Sequence, residues 1–256
     1  MNGVARRALG SAVILLALAM GPAQAENDPL EPVNRAVFEF NEFIDALILE
    51  PVAHIYRIFV PRLVREGVDN VLTNARTPVV LANDLLQGEW DRAETTFGRF
   101  MLNTIIGVGG LVDVASMVGM PDGHYEDFGQ TLAVYGVGEG PYLMLPVLGP
   151  SNPRDLAGRV IDFAFDPIAL FAPTEATLSR GATEGVQLRE QNIETIDELR
   201  RTSLDFYAAT RTWVRQLRAA EIRQGRPAPL EDIYDEFDDL DDPADFDDPA
   251  DFDDAQ

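Results

Sequence analysis

The chain has 256 residues, no cysteine, and 43 acidic against 20 basic side chains, a formal net charge of −23. That balance argues against a nucleic-acid partner, because neutralising phosphates takes a basic face. Every base is arginine, so a Walker A phosphate loop and lysine Schiff-base chemistry are both excluded, and without cysteine there is neither a disulfide nor a thiol to carry a lipid.

Arg6 and Arg7 precede the apolar run Leu9–Met20, and Ala23-Gln24-Ala25 follows. This is the pattern of a cleaved secretory signal over residues 1–25, with an apolar run well short of the roughly 20 residues of a span. From Asp28 the spacing predicts a helix with Asp28 as N-cap and Pro29 at its first position. Val33, Val37, Phe40, Ile44 and Leu47 form its apolar stripe, Phe38 and Phe43 widen it, and Arg35, Glu39, Glu42 and Asp45 mark the wet side. The phenylalanines fit either an ordinary core or immersion among lipid headgroups. Pro51 ends or kinks this helix, and a second stretch runs to Phe59 before Pro61. Residues 62–88 read as a helix pair broken at Thr77-Pro78, and Trp90 to Ile106 as one helix with a stripe through Phe97, Phe100, Met101 and Thr104.

Residues 103–120, "NTIIGVGGLVDVASMVGM", are apolar and glycine-rich with Asp113 as their one charge. Four glycines and an aspartate make a poor membrane span. A hairpin is more consistent: one helix finishes at Asn103–Ile106, Gly107 to Gly110 turn, and Leu111–Met117 start the next. Ile105, Ile106, Val108, Leu111 and Val112 then lie at its tip or walls. In water such a tip belongs in a core, and if exposed it marks a partner or a membrane; the residues alone leave both open.

Residues 128–150 carry Gly and Pro at turn-forming positions, which predicts a loop with short strand or helical pieces. The longest periodic segment, roughly 184–224, recurs through Ile193, Ile196, Leu199, Ser203, Phe206, Thr210, Trp213 and Leu217, with Asp197 and Arg201 spaced for an ion pair and Gly225 and Pro227 as its stop. Residues 231–256 hold fourteen acids, no base and a repeated "DDPADF", a composition expected to stay disordered. The domains expected are thus a signal at 1–25, a helical domain at 26–230 and an acidic tail at 231–256.

No catalytic set assembles. His54 and His124 stand in no metalloenzyme motif, no serine sits in G-x-S-x-G, and neither glycine cluster fits G-x-G-x-x-G after a strand. His124-Tyr125-Glu126-Asp127 reads as a surface turn rather than a metal site. No enzyme activity, cofactor or metal is expected.

Five segments in order, "DPLEPVNRAVFEFN" (28–41), "LLQGE" (85–89), "RFMLNTIIGVGGLVDVAS" (99–116), "FGQTLAVYGVGEGPYLMLPVLGPSNPRD" (128–155) and "FYAATRTWVRQLR" (206–218), resemble the MlaA/VacJ family of outer-membrane phospholipid-asymmetry proteins. The resemblance implies an all-α, ring-shaped domain lying in the inner leaflet of the outer membrane, with a central amphipathic channel. It implies phospholipid as cargo, a trimeric porin and a soluble periplasmic lipid carrier as partners, and removal of mislocalised phospholipid from the outer leaflet without chemistry. By match to the family's channel and hinge segments, Gly107, Gly109, Gly110 and Asp113 belong to the hairpin, and Tyr135, Gly136, Gly138, Gly140 and Tyr142 to the adjoining lining. For Asp113 a helix cap, and for the tyrosines a core position, remain equally open. The membrane-embedded face expected is Val33, Val37, Phe38, Phe40, Phe43, Ile44, Leu47, Ile105, Ile106 and Leu111. The family's usual lipid anchor on an N-terminal cysteine has no counterpart in this sequence, so these side chains would hold the protein to the bilayer. A soluble periplasmic carrier of hydrophobic ligands is the alternative.

Overall fold

The computed structural model describes residues 28–224 together with Arg226. The expected signal at 1–25, the acidic tail at 231–256 and the stop at Gly225 and Pro227 lie outside the described residues. The described part is all-α apart from one short hairpin.

Helix α1 spans Glu31–Ile44, runs through a π turn at Asp45–Leu49 and continues as α2, Glu50–Phe59. The wider turn carries the chain past Pro51, which has no N–H to give and sits in the first turn of α2. Asp28 is not the N-cap expected of it. Its carboxylate is almost fully buried and accepts from Asn34 Nδ2 (2.9 Å) and the Tyr207 hydroxyl. Its Oδ1 also accepts from the Leu30 N–H (3.1 Å) and so closes the turn that leads into the helix, but α1 itself starts at Glu31 with no side-chain cap and with Pro32, not Pro29, in its first turn.

The helix pair expected at 62–88 is a single helix, α3, Arg62–Gln87, with Pro78 inside it. Packing overrides the break: α3 lies against α4 (Trp90–Ile105), α6 (Phe128–Val134), α7 (Pro153–Phe165) and α9 (Thr174–Gln191). It ends at Gly88 in the left-handed conformation. After α4 a turn leads to the short α5, Val114–Met117. Strands β1 (Leu143–Leu145) and β2 (Gly149–Ser151) pair antiparallel, with Met144 opposite Pro150.

The 184–224 segment is not one helix. α9 stops at Gln191, α10 covers Ile193–Thr202, and α11 covers Phe206–Arg223 after a break in which Asp205 caps α11 through the Ala208 N–H. The Asp197–Arg201 pair does not form; Arg201 instead meets Glu198 at i,i+3, both on the solvated surface. A further short helix, α8, spans Pro167–Phe171.

The interior is unusual in kind. Among the described residues, eight apolar side chains are buried against fourteen polar or charged ones, and the largest fully buried side chains are Gln130, Glu126, Asn83, Thr131 and Asp84. The apolar centre is small, Tyr142, Met144 and Tyr207 with Val37 and Phe38 packed on it. Phe38 meets Phe206 and Tyr207 edge-on, with ring centroids 5.4 and 5.5 Å away.

Candidate functional site

Apolar residues missing from the core are on the outside. Val33, Phe40, Phe43 and Leu47 are exposed, and the row continues along α2 through Ile55, Ile58 (75%) and Phe59 (77%) to Leu63. Those of α1 and α2 recur at helical spacing and share one face of the α1–α2 rod, and Leu63 carries the row onto the first turn of the next helix. Water penalises such a face, and a monomer rarely carries one without a use for it. Two residues expected on this face are half-buried against the Tyr142–Met144–Tyr207 core: Phe38 projects from the side that carries Asn34 and Asn41, and Val37, one turn from Val33, sits at the edge between the two sides. Ile44 is half-buried. The α2 part of the belt was not anticipated, although its spacing was readable.

The opposite side of α1 is held to β1 by two asparagines seven residues apart. Asn34 Nδ2 donates to the Tyr142 carbonyl, and Asn34 Oδ1 accepts from the Met144 N–H, both at 2.9 Å. Asn41 repeats the arrangement with the Leu145 carbonyl (2.9 Å) and the Val147 N–H (2.8 Å). Two amide side chains thus replace the strand that β1 lacks on that edge.

The hairpin forms close to its expected place. α4 ends at Ile105, the chain turns through 106–112, and α5 follows. Ile105, Ile106, Val108 (73%) and Leu111 are exposed at the tip, with Met117 and Val118 beside them; Val112 is half-buried. Gly107 and Gly110 answer to close packing. A Cβ at Gly107 would stand 2.2 Å from the Val112 carbonyl oxygen, and one at Gly110 (φ +92°) 2.4 Å from Asn74 Cβ. Gly109 also has positive φ but faces open space. Leu111 Cδ1 lies against Gly67, which joins the tip to the helix whose first turn carries Leu63 and Val64.

Asp113 caps α5. It accepts from the Ser116 N–H and hydroxyl and from Asn103 Nδ2 (2.9 Å), and it pairs with Arg99 at 2.8 Å. Burial pulls this carboxyl up, but those hydrogen bonds and the Arg99 charge outweigh it and leave it below the ordinary aspartate value.

Behind the hairpin lie three cavities of about 400, 460 and 460 Å³. They are consecutive: Tyr125, Asp127 and Arg159 line both the first and the second, Arg76, Val80 and Tyr125 both the second and the third. Tyr125 therefore stands where all three meet, with the Arg76 guanidinium 5.4 Å from its ring centre. Of the nine residues expected on the lining or hinge, Gly140 and Tyr142 reach the first cavity and Asp113 the third. Tyr142 is both core and lining, and its buried hydroxyl has no hydrogen-bond partner among the described residues. Gly107, Gly109, Gly110, Tyr135, Gly136 and Gly138 line none of the three; Tyr135 is exposed and donates its hydroxyl to the Leu86 carbonyl at 2.7 Å.

The sequence assigns no role to the arginines of these walls: Arg99, Arg215 and Arg218 lie in segments of the family resemblance, but the six come from α3, α4, α7, α9 and α11 and meet only in the fold. Most are ion-paired. Arg218 takes Asp127 at 2.7 Å and Asp155 at 2.9 Å, and Arg180 takes Asp166 at 2.6 Å. Burial opposes ionisation of Asp155, yet Arg218 and Arg154 hold its carboxyl below the usual range. Asp162, buried against Asn83 and the Phe128 N–H, is instead pushed up by that burial.

His124 and Glu126 are not in the surface turn expected for them. With Asp84 they form a cluster whose ligand atoms lie within 4.8 Å of one another, a spacing a metal ion could use. Their oxygens are committed: Asp84 accepts from Thr96 (2.7 Å) and meets His124 Nε2 (2.8 Å), while Glu126 accepts from Arg92 (2.7 Å), Gln87 and Gln224. The Arg92 charge does what an ion would do, and the cluster is a buried polar brace joining α3, α4 and the segment before α6. No helix among the described residues is long and apolar enough to cross a membrane.

The family model described as "MlaA lipoprotein" matches residues 26–221. A protein of Escherichia coli K12 named "Intermembrane phospholipid transport system lipoprotein MlaA" is 35% identical over 243 residues, 91% of this chain and 96% of that one. Its namesake in Haemophilus influenzae is 33% identical over 203 residues, covering 78% and 81%. A solved structure reported under "Structural basis for maintenance of bacterial outer membrane lipid asymmetry" superposes with a TM-score of 0.70 at 36% identity, covering 77% of this chain and all of the other. On sequence and fold together, the chain belongs to the MlaA lipoprotein family.

Proposed function

We propose that this protein is the outer-membrane component of a phospholipid transport system, one that takes phospholipid mislocalised in the outer leaflet and passes it through its interior to a periplasmic lipid carrier. The observation that carries this reading is the inverted distribution of side chains: an apolar belt outside, and inside it consecutive cavities whose walls mix charged with apolar side chains. A phospholipid needs both. Its headgroup travels along charged walls while its tails stay against apolar surface such as Val80, Phe163 and Leu188.

The belt would hold the protein in the inner leaflet of the outer membrane without crossing it. At ~1.5–3 kcal/mol for each fully transferred Phe, Leu or Ile, the half-dozen most exposed side chains of α1, α2 and the hairpin exceed a single myristoyl chain, whose partition constant is about 10⁴ M⁻¹. A trimeric porin is the partner proposed beside it. No bond is made or broken in this role.

Extraction from its native host tests the reading. Recovery in the membrane fraction, with phospholipid and a porin retained through gentle detergent purification, is the expected result. Recovery in the soluble periplasm without detergent would favour a carrier and sink the channel.

A further inference from the structure

Six arginines line the three cavities: Arg76, Arg99, Arg159, Arg180, Arg215 and Arg218. Five have a carboxylate within 4 Å, in Glu184, Asp113, Asp166, Glu139 and Asp127 respectively. Arg159 has none, and among the described residues it makes no hydrogen bond; it stands where the first and second cavities join.

Its isolation has a cause. Asp155 and Asp162 lie four residues before and three after it on α7, the spacings at which a helix pairs opposite charges. Both are engaged elsewhere: Asp155 by Arg218, Arg154 and Asn152, Asp162 by Asn83 and the Phe128 N–H. The neighbouring Gly158 fixes the site, since a Cβ there would stand 2.3 Å from the Gly129 backbone nitrogen, so α7 presses on α6 with no room to roll. The exposed Arg159 side chain thus stands without a salt bridge where the first two cavities adjoin.

Around it the sign reverses. The first two cavities are lined by eight carboxylates against five arginines, and with Arg92 and Arg154 pairing Glu126 and Asp155 from outside the lining the walls keep a small negative balance. A net-anionic headgroup meets repulsion there, whereas a zwitterion places its phosphate on the free guanidinium and its ammonium among the carboxylates. We propose that Arg159 is the phosphate contact of the passage, and that the acidic walls around it select zwitterionic over anionic phospholipid.

This rests on the transport reading above. The test titrates the full-length protein, as wild type, Arg159→Gln and Arg159→Lys, by calorimetry against monomeric dihexanoylphosphatidylcholine, dihexanoylphosphatidylglycerol, dihexanoylglycerol and inorganic phosphate. The wild type should bind the choline lipid more tightly than the glycerol phospholipid. Arg159→Gln should weaken both about tenfold, the scale of one charge-assisted contact, and leave dihexanoylglycerol unchanged, while Arg159→Lys keeps most of the affinity. Circular dichroism should show both variants folded, as befits a side chain with no partner to lose. Unchanged phospholipid binding by Arg159→Gln overturns the contact, and equal affinity for the two phospholipids overturns the selectivity. Arg159-dependent binding of inorganic phosphate without lipid binding would assign the site to the free ion and overturn the lipid assignment. No binding of any lipid by the wild type would instead overturn the transport reading itself.

Discussion

Gly109 and Gly110 share a left-handed backbone at the hairpin turn but differ in what surrounds them, and that contrast isolates packing from strain. Alanine at either position pays about 1–2 kcal/mol for the positive φ. At Gly109 the new methyl meets open space, so nothing is added. At Gly110 it would stand 2.4 Å from Asn74 Cβ and 2.9 Å from Asn74 Nδ2, which donates to Thr104 Oγ1 at 2.9 Å. Asn74 is buried on α3, and displacing it adds an overpacking cost of about 1–3 kcal/mol. Gly110→Ala should therefore lose about 2–5 kcal/mol in urea denaturation, and Gly109→Ala about 1–2. Removing the obstruction with Asn74→Gly, since alanine would keep the Cβ that stands nearest, should make Gly110→Ala cost less in that background, a coupling that a double-mutant cycle measures. Equal losses at the two glycines, or strict additivity with Asn74→Gly, would refute the assignment of Gly110 to close packing and favour a hinge.

Asn34→Ala should cost about 2–4 kcal/mol, because it leaves the Tyr142 carbonyl and the Met144 N–H buried and unpaired, and hydrogen exchange at Met144 should accelerate; wild-type exchange there would contradict this. The Asp155 carboxyl, held below its unfolded value near 3.9, contributes stability that is present above that pH and lost as pH falls through its folded pKa. Asp155→Asn should thus be less stable than the wild type at neutral pH and lose less on acidification below about pH 4, and parallel curves would count against the Arg218 network. Arg92→Met should expose the Asp84–Glu126 brace as uncompensated buried charge and lower the melting temperature, and a divalent cation that restored it would show the cluster can take an ion after all.

How far the sequence could be read is settled by what periodicity contains. Three- and four-residue spacing located α1 and its apolar stripe, but it carries no statement of which medium the stripe faces. The usual assumption turns it inward, and here Phe40, Phe43 and Leu47 point out while Asn34 and Asn41 of the same helix point in. The hairpin was legible because glycine, aspartate and apolar residues sit within eighteen consecutive positions. Pro78 misled because the helix break it favours locally is outweighed by the four helices packed along α3. The cavity walls were out of reach: Arg76, Tyr125, Arg159, Arg180 and Arg218 come from five separate segments, and only the fold brings them to one passage.

The proposed role requires that the exposed belt settle into a bilayer surface while the passage of mixed charged and apolar lining stays open behind it. Flotation of the purified, detergent-free protein with phospholipid vesicles on a density gradient tests it most directly, alongside a Phe43→Glu/Phe59→Glu variant whose two sites are exposed and make no core contact. The wild type should rise with the vesicles and the variant should stay below them. Wild-type protein remaining at the bottom as a free globule, or the doubly charged variant floating as well, would contradict it.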